Sequence, residues 1–302
     1  RGLGNYSRDL IRILQEHKVG RLFLFNPKPA KTQRLTLDAQ TTEITPQSFF
    51  WKKLKSLWRS VKITDIAKQL PIDIYHGLSG EIPRNIHKHV PTVVTIHDLI
   101  FMRYPQLYSY FDRKIHYRKF FYAAQHAQHI IAISEQTKRD VMEFFHVPAD
   151  RIDVVYQGCS PAFGQATEED ESRARERYAL PERYLLYVGS IETRKNLRLA
   201  VEALAHCRDR HIRLVAVGKR TPYCAEVQQC AERSGVADRL VMLHDVPFAF
   251  LPGIYRGAEV FVYPSRFEGF GIPIVEALAS GVPVVAATGS CLEEAGGPSS
   301  LY

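Results

Sequence analysis

Cysteines are few in this sequence, and their spacing fits neither a metal ribbon nor a disulfide framework. The 302 residues contain five of them, without a C-x-x-C pair: Cys159, Cys207, Cys224, Cys230 and Cys291. A zinc ribbon or a disulfide-stapled domain needs paired, closely spaced cysteines. We therefore expect free, mostly packed thiols in a reducing compartment, and no metal site.

Long apolar runs are missing as well. No stretch approaches the roughly 20 uncharged apolar residues that a helix needs to cross a bilayer. The opening residues, RGLG, carry no signal-peptide core. We expect a protein of the cytoplasm, or one held peripherally at the inner face of the cell membrane.

Acidic residues are outnumbered by basic ones, 32 to 40, which gives a formal net charge of +8. A basic balance favours polyanionic partners, which are nucleic acid, an anionic lipid surface or a phosphorylated substrate. The chain has no DNA- or RNA-binding motif, so nucleic acid is not an expected partner.

The apolar residues that are present alternate between short strand-like runs and longer helical patterns. In each half of the chain, runs of Val, Ile and Leu indicate buried parallel strands. The predicted strands are 21–25, 72–76, 90–96, 129–133, 184–188, 213–217, 240–243, 260–263 and 283–286. This alternation predicts an α/β fold with two Rossmann-like, doubly wound domains that face each other across a cleft. We place the N-terminal domain at 1–163 and the C-terminal domain at 164–302.

The two ends of the sequence bear on this prediction. A doubly wound domain normally opens with a strand that leads into its first glycine turn. Here Gly2 and Gly4 come at once, as a predicted turn before a helix over Tyr6–His17. We therefore expect a first strand before residue 1 and a further C-terminal segment after Tyr302.

The most specific motif is YPSRFEGFGIPIVEALASGVPVV, over Tyr263–Val285. It predicts a glycine-containing loop and then a helix, whose free N–H groups and positive dipole end form an anion site. Glu276 lies on this helix and can accept the hydroxyls of a ribose, and Glu268 precedes the helix. The alternative is an ordinary helix start with solvated glutamates.

Two further motifs follow predicted strands. Arg194 and Lys195 lie in YVGSIETRKN, and a guanidinium fork beside an ammonium charge suits a diphosphate. Their place at the carboxyl end of a strand is where open α/β sheets bind ligands; the alternative is a solvated surface loop. His97, beside Asp98, can bind sugar hydroxyls or orient a reacting group. Its alternative is a histidine satisfied by backbone groups.

The segment Phe49–Lys62 (FFWKKLKSLWRSVK) interleaves aromatic residues with lysines at helical spacing. Trp51, Leu54, Leu57 (or Trp58) and Val61 make one apolar stripe. A helix of this kind either lies on an anionic membrane surface or packs into the core with a basic, solvated outer face.

Taken together, the sequence resembles members of glycosyltransferase family 4 of the GT-B fold, in a mannosyltransferase-like group. The resemblance covers nearly the whole chain and rests on the strings GLGNYSRDL, HGLSGEIP, VVTIHDLIF, IIAISEQTKRDV, VVYQGCSPAF, YVGSIETRKNL, VYPSRFEGFGIPIVEALASGVPVV and SCLEEAGGPSSLY. Asn5 stands where many relatives have arginine.

The resemblance implies a role for each matching residue. Arg194 and Lys195 would bind the donor diphosphate, and Glu276 would hold the donor ribose. Glu268 would face the transferred sugar, and His97 would contact it from the first domain. The residues that would approach the sugar or the phosphates with their backbone are Phe270, Gly271 and Gly4.

The family's chemistry further implies transfer with retention of anomeric configuration, without a metal or other cofactor. The leaving phosphate would help to deprotonate the acceptor. We expect transfer of mannose from GDP-mannose to a hydroxyl of a growing glycan, or of a lipid-linked acceptor, as in bacterial surface polysaccharide synthesis. The alternatives are a non-catalytic nucleotide-sugar-binding subunit and a nucleotide-sugar epimerase on the same fold.

Overall fold

The computed structural model describes residues 2–28 and 35–302, with side chains from residue 4 onward. It divides into two compact units, Arg1–Val155 and Tyr156–Tyr302, each built around its own hydrophobic core. The parallel sheets and covering helices of both units confirm the predicted α/β class. No helix in the described part of the chain is long and apolar enough to span a membrane.

The first unit contains two parallel sheets. A two-stranded sheet pairs β1 with β2, and a four-stranded sheet has the order β3-β4-β5-β6. The strands are β1 (Leu22–Phe25), β2 (Thr41–Ile44), β3 (Tyr75–Gly77), β4 (Thr92–Ile96), β5 (His129–Ala132) and β6 (Ile152–Val154). The sequence analysis missed β2 and β6, because the short strings TTEI and IDV lack the long apolar runs of interior strands.

Seven α-helices are described in the first unit. They are α1 (Gly2–Glu16), α2 (Phe49–Lys53), α3 (Lys55–Leu57), α4 (Ile63–Ala67), α5 (Ile100–Arg103), α6 (Tyr110–His126) and α7 (Glu135–Phe145). The predicted glycine turn is wrong, since Gly2 and Gly4 form the first turn of α1 instead of preceding it. Because glycine is a poor helix former, the two glycines favoured a turn over the helix that forms here.

A π-helical turn, Trp58–Lys62, joins α3 to α4. Its widened geometry brings residues five apart onto one side of the helix. Trp58 and Ile63 are both buried in this way, with 2% and 1% of their surface exposed. The predicted continuous helix over this region is therefore interrupted. Of the predicted apolar stripe Trp58 packs inward, while Leu54, Leu57 and Val61 are exposed.

The second unit has one five-stranded parallel sheet, of order β11-β10-β7-β8-β9. Its strands are β7 (Tyr184–Val188), β8 (Arg213–Val217), β9 (Leu240–Leu243), β10 (Val260–Tyr263) and β11 (Val284–Ala286). The helices are α8 (Glu168–Tyr178), α9 (Leu197–His206), α10 (Tyr223–Arg233), α11 (Leu251–Arg256), α12 (Ile272–Ala279) and α13 (Leu292–Gly296). Strands β7 and β8 are apolar and largely buried, as expected for a sheet covered on both faces.

The second unit begins at Tyr156, eight residues before the predicted domain boundary at 163/164. Packing explains the difference. Phe163 is buried and meets Tyr255 edge-on, with ring centroids 5.2 Å apart. The Ser280 hydroxyl also donates to the Phe163 carbonyl at 3.3 Å. The polar stretch Gly164–Tyr178 contains α8, which packs on α11.

Helices α8 and α11 are in close backbone contact at Gly253. A Cβ atom added there would lie 2.3 Å from the Asp170 carbonyl oxygen, which is backbone and cannot rotate away. We expect Gly253→Ala to lower the free energy of unfolding by about 1–3 kcal/mol, although alanine is the better helix former. Gly158→Ala is the control, because a Cβ there meets nothing within 4 Å. Urea unfolding followed by circular dichroism checks both variants; equal midpoints would contradict the close packing.

Candidate functional site

The strand order of the second unit places a ligand crevice next to its central strand. From β7 the chain proceeds to β8 and β9 on one side, and then returns to place β10 and β11 on the other. The connections after β7 and β10 therefore leave the sheet in opposite directions. In open α/β sheets such a switch point, at the carboxyl ends of the strands, is where ligands bind.

An ionic cluster occupies this switch point. Glu268, after β10, contacts Lys195 Nζ at 2.6 Å through Oε1 and Arg194 Nη1 at 3.1 Å through Oε2. The Ser265 hydroxyl donates to Glu268 Oε1 at 2.5 Å, and the Tyr263 hydroxyl does so at 3.3 Å. The structure thus brings together three of the residues predicted for the site.

The cluster is largely buried. The side chains of Arg194, Lys195 and Glu268 are exposed by only 15%, 11% and 11%. Burial alone would raise the pKa of Glu268, but the charges of Lys195 and Arg194 outweigh it and hold the pKa below its ordinary value. Glu268 is therefore ionised near neutral pH.

The cluster also ties two loops together. The Arg194 guanidinium donates to the Phe267 carbonyl, and the Arg266 N–H donates to the Arg194 carbonyl at 3.0 Å. On its other side Arg194 Nη2 pairs with Glu192, whose side chain is 44% exposed. Glu268 thus pairs with both basic side chains, and Arg194 pairs in addition with the half-solvated Glu192.

The loop after β10 ends at Gly271, which precedes α12. Gly271 has φ +131°, and a Cβ there would lie 3.1 Å from Ala295 Cβ, so this position favours glycine. Among the residues that the structure describes, no partner is recorded for the N–H groups of Phe270, Gly271 and Ile272. Donors of this kind at a helix start form an anion site.

Glu276 lies in α12 and has a different environment from Glu268. Its Oε2 accepts a hydrogen bond from the Tyr255 hydroxyl at 2.8 Å, and the described residues give it no ion pair. Burial raises the pKa of Glu276 to about 7. The hydrogen bond from Tyr255 lowers this pKa, but by less than burial raises it. A carboxyl group in this environment changes its protonation state near neutral pH, and it can accept further hydrogen bonds.

In the first unit, His97 follows β4 and is buried. Its Nε2 lies 2.9 Å from the Leu78 carbonyl oxygen, and its ring meets Tyr6 edge-on at 4.6 Å. Because a carbonyl only accepts, Nε2 carries the proton. Burial lowers the pKa of His97, so the ring is neutral near pH 7. The backbone contact that the sequence analysis kept as the alternative is therefore present.

Gly4 lies in α1 of the same unit. A Cβ atom there would be 3.3 Å from the Arg8 guanidinium, a flexible group. The Tyr6 hydroxyl, two residues further along α1, lies 3.0 Å from Thr95 Oγ1 in β4. The structure thus anchors the start of α1 to β4 through Tyr6, which the sequence analysis did not single out.

Sequence reasoning also missed the supporting side chains in the second unit. Ser265 and Tyr263 bind Glu268, and Tyr255 binds Glu276. The buried Cys291 thiol lies 3.1 Å from the Glu268 carbonyl oxygen and 3.0 Å from that of Phe270. Ser265 and Tyr263 lie inside the motif, so the sequence could have pointed to them. Tyr255 and Cys291 come from other elements, and no local pattern points to them.

Within the described ranges, no three His, Cys, Asp or Glu side chains form a group that could hold a metal ion. The second unit instead offers a basic pair, a row of N–H donors and two carboxyl groups of opposite character. Such a site can bind a diphosphate through charge-assisted bonds and accept hydrogen bonds from hydroxyl groups.

Residues 1–163 match the family described as Glycosyltransferase Family 4, and residues 168–295 match Glycosyl transferases group 1. O-antigen chain mannosyltransferase B of Escherichia coli is 32% identical over 76% of this chain and 60% of its own length. O-antigen chain mannosyltransferase RfbU of Salmonella typhimurium is 28% identical over 64% of this chain and 50% of its own length. The chain thus spans between half and two thirds of these relatives.

Solved structures share the fold. Sucrose-phosphate synthase from Thermosynechococcus elongatus superposes with a TM-score of 0.72 at 20% identity, over 96% of this chain and 76% of its own. WaaG, a glycosyltransferase involved in lipopolysaccharide biosynthesis, gives 0.69 at 15% identity, over 97% and 80%. Anabaena HepE in complex with UDP and glucose gives 0.65 at 21%, over 84% and 69%. These matches confirm the predicted GT-B fold.

The raised pKa of Glu276 has a measurable effect on stability. An acid whose pKa rises from 4.5 to about 7 on folding binds its proton more tightly in the folded state. Its contribution to stability is therefore lost as the pH rises through that window, by up to about 3 kcal/mol. Glu276→Gln, which still accepts from Tyr255, should lack this loss.

Urea unfolding of both proteins at several pH values between 4.5 and 8 checks the effect. The wild-type protein should lose stability relative to Glu276→Gln across the window. Glu226→Gln, at an exposed position of α10, should follow the wild-type curve. Parallel curves for wild type and Glu276→Gln would show that Glu276 ionises normally.

Proposed function

This chain belongs to glycosyltransferase family 4, and on that premise we propose that it transfers mannose from GDP-mannose to a hydroxyl of a growing glycan. The observation that carries the proposal is the dry Arg194–Lys195–Glu268 cluster at the switch point, beside the N–H groups at the start of α12. Positive groups held in place before the ligand arrives cost no reorganisation when negative charge develops on them.

The donor diphosphate binds Arg194 and Lys195 from their outer side in this proposal. Glu268 already pairs with both cations, so the diphosphate approaches from the side where Arg194 pairs with the half-solvated Glu192. The N–H groups of Phe270 and Gly271 complete the anion site. As the sugar leaves, the added charge on the diphosphate is met by groups that are already oriented.

Glu276 receives the ribose of the donor. Its Oε2 accepts from Tyr255, which leaves Oε1 for hydroxyl groups of the sugar. Hydroxyl donors favour the ionised carboxylate, so donor binding should lower the pKa of Glu276 from its value of about 7. Binding then releases a proton near neutral pH.

Transfer with retention of configuration follows the family's chemistry. Glu268 faces the transferred sugar, and His97, neutral and buried, contributes a hydrogen bond to the sugar and no proton transfer. Gly4 allows the start of α1 to approach the phosphates. The leaving phosphate accepts the proton of the acceptor hydroxyl, and no metal ion or other cofactor takes part.

The relatives support mannose and a polysaccharide product, since two are O-antigen chain mannosyltransferases. The acceptor in the proposal is a glycan end, carried by a lipid during surface polysaccharide synthesis. The chain acts in the cytoplasm and meets that acceptor peripherally, at the inner face of an anionic membrane.

We expect Glu276→Ala to weaken GDP binding by roughly 2–4 kcal/mol, because it removes a pair of charge-assisted hydrogen bonds. Titration calorimetry measures the dissociation constant. Glu226→Ala, far along the chain on α10, is the matched control and should bind GDP as the wild type does. A Glu276→Ala variant with wild-type affinity would remove this residue from the donor site.

Donor consumption tests the activity itself. With EDTA present, GDP-mannose should be consumed only when a glycan acceptor is supplied, and the product should keep the α configuration of the donor in its proton spectrum. Consumption without acceptor would indicate epimerase or hydrolase chemistry. Binding of GDP without any turnover would indicate a non-catalytic subunit.

A further inference from the structure

The excess positive charge of the chain belongs to one unit. Residues 1–155 contain 24 lysines and arginines against 14 aspartates and glutamates, a formal charge of +10. Residues 156–302 contain 16 against 18, a formal charge of −2. Such asymmetry indicates that the first unit has its own polyanionic partner. A donor diphosphate bound by the second unit does not account for it.

An apolar face of the first unit lies open next to this charge. Phe50, Leu54, Leu57 and Val61, here called the outer stripe, are exposed by 56%, 41%, 46% and 41%. Phe50 and Leu57 lie in α2 and α3, Leu54 at the junction of these helices, and Val61 in the π turn that follows. The π turn directs Trp58 and Ile63 inward instead. Of the stripe predicted from the sequence, the core-packed alternative holds for Trp58 but not for Leu54, Leu57 and Val61. Lys52 and Lys53 beside them are exposed as well.

At its C-terminal end the outer stripe reaches a pocket. Val61 lines a cavity of about 340 Å³ together with Lys68, Arg84, Lys88 and His89, here called the basic pocket. Its one acid is Asp65, which pairs with Lys62 at 3.3 Å. In the described part of the chain, no ion pair is recorded for Lys68, Arg84 or Lys88.

The walls of the basic pocket are fixed to each other. The Arg84 N–H donates to the Ser60 carbonyl at 2.7 Å, and the Thr64 hydroxyl donates to the Arg84 carbonyl at 2.8 Å. On the other side, the Asn85 N–H donates to the Tyr122 hydroxyl at 2.8 Å. The backbone that carries Arg84 is thus fixed at the cavity, and the cavity with its lining of Lys68, Arg84 and Lys88 suits a phosphate group by size and charge.

We propose that this surface seats the first unit on a bilayer rich in anionic phospholipid. The outer stripe enters the boundary between headgroups and acyl chains, and a lipid phosphate occupies the basic pocket. Apolar residues surrounded by lysines suit this partner, whereas lysine is depleted in the cores of protein interfaces. The choice of a membrane as partner rests on the proposed function, in which the acceptor is lipid-linked.

Flotation with lipid vesicles tests the proposal on the full chain, without donor or acceptor. The protein should float with vesicles of phosphatidylcholine mixed with phosphatidylglycerol, and not with phosphatidylcholine alone. High salt should release it, because the attraction is screened. Sodium phosphate at matched ionic strength should release at most part of the protein, because it competes for the basic pocket and not for the outer stripe. Complete release by phosphate would make a free anion the occupant and overturn the proposal.

Two variants separate the parts of the surface. Lys68→Gln/Arg84→Gln/Lys88→Gln should weaken vesicle binding roughly 100-fold, since each surface charge contributes about 1 kcal/mol. Leu54→Ser/Leu57→Ser should weaken it at least about tenfold through lost apolar burial. Leu199→Ser and Arg233→Gln, exposed positions of the second unit, are the matched controls and should bind as wild type does.

The readouts keep this proposal apart from the transferase assignment. Both surface variants should keep the wild-type melting temperature and the wild-type rate on a water-soluble acceptor. Wild-type vesicle binding by both variants, or equal binding to neutral vesicles, would overturn the membrane surface alone. A dimer that Leu54→Ser/Leu57→Ser abolishes would make a second copy the occupant, and would overturn it too.

Discussion

The desolvated charge cluster of Glu268, Arg194 and Lys195 is the constraint on which the site depends. Two cations with side chains at most 15% exposed are unfavourable unless a carboxylate lies against them, and removing one partner of such a group leaves a buried charge uncompensated. The strand order satisfies this requirement, because it makes β7 and β10 neighbours and so brings their following loops together. The cluster therefore holds the loops after β7 and β10 together, and these loops in turn place Arg194 and Lys195 at the carboxyl ends of the strands.

The two glutamates of the motif show how environment divides the work of one residue type. Glu268 faces two cations and stays ionised, while Glu276 faces one tyrosine hydroxyl and titrates near neutrality. Groups whose surroundings move their pKa values apart tend to have separate functions. Here Glu268 is a fixed counter-charge, and Glu276 is a carboxyl group that can accept further hydrogen bonds. Their positions on either side of Gly271 keep both within one loop–helix unit.

Most of the strands were predictable, because continuous runs such as Tyr184–Val188 are typical of interior parallel strands. The loop–helix motif was also predictable, since its glycines and proline have specific backbone roles. The half-polar strand Thr41–Ile44, the π turn at Trp58 and the contacts of Tyr255 and Cys291 were not. Each depends on packing between segments far apart in sequence, and tertiary context overrides local pattern there. The roles of the site residues toward a donor remain predictions.

The most direct test of the account compares GDP with GMP by titration calorimetry, in buffer containing EDTA. Arg194, Lys195 and the N–H groups before α12 are assigned to the diphosphate, so GDP should bind and GMP should bind at least about tenfold more weakly, as loss of one charge-assisted contact predicts. Equal affinities would show that the cluster does not bind the second phosphate of GDP. That result would contradict the central claim, whatever the base or the sugar.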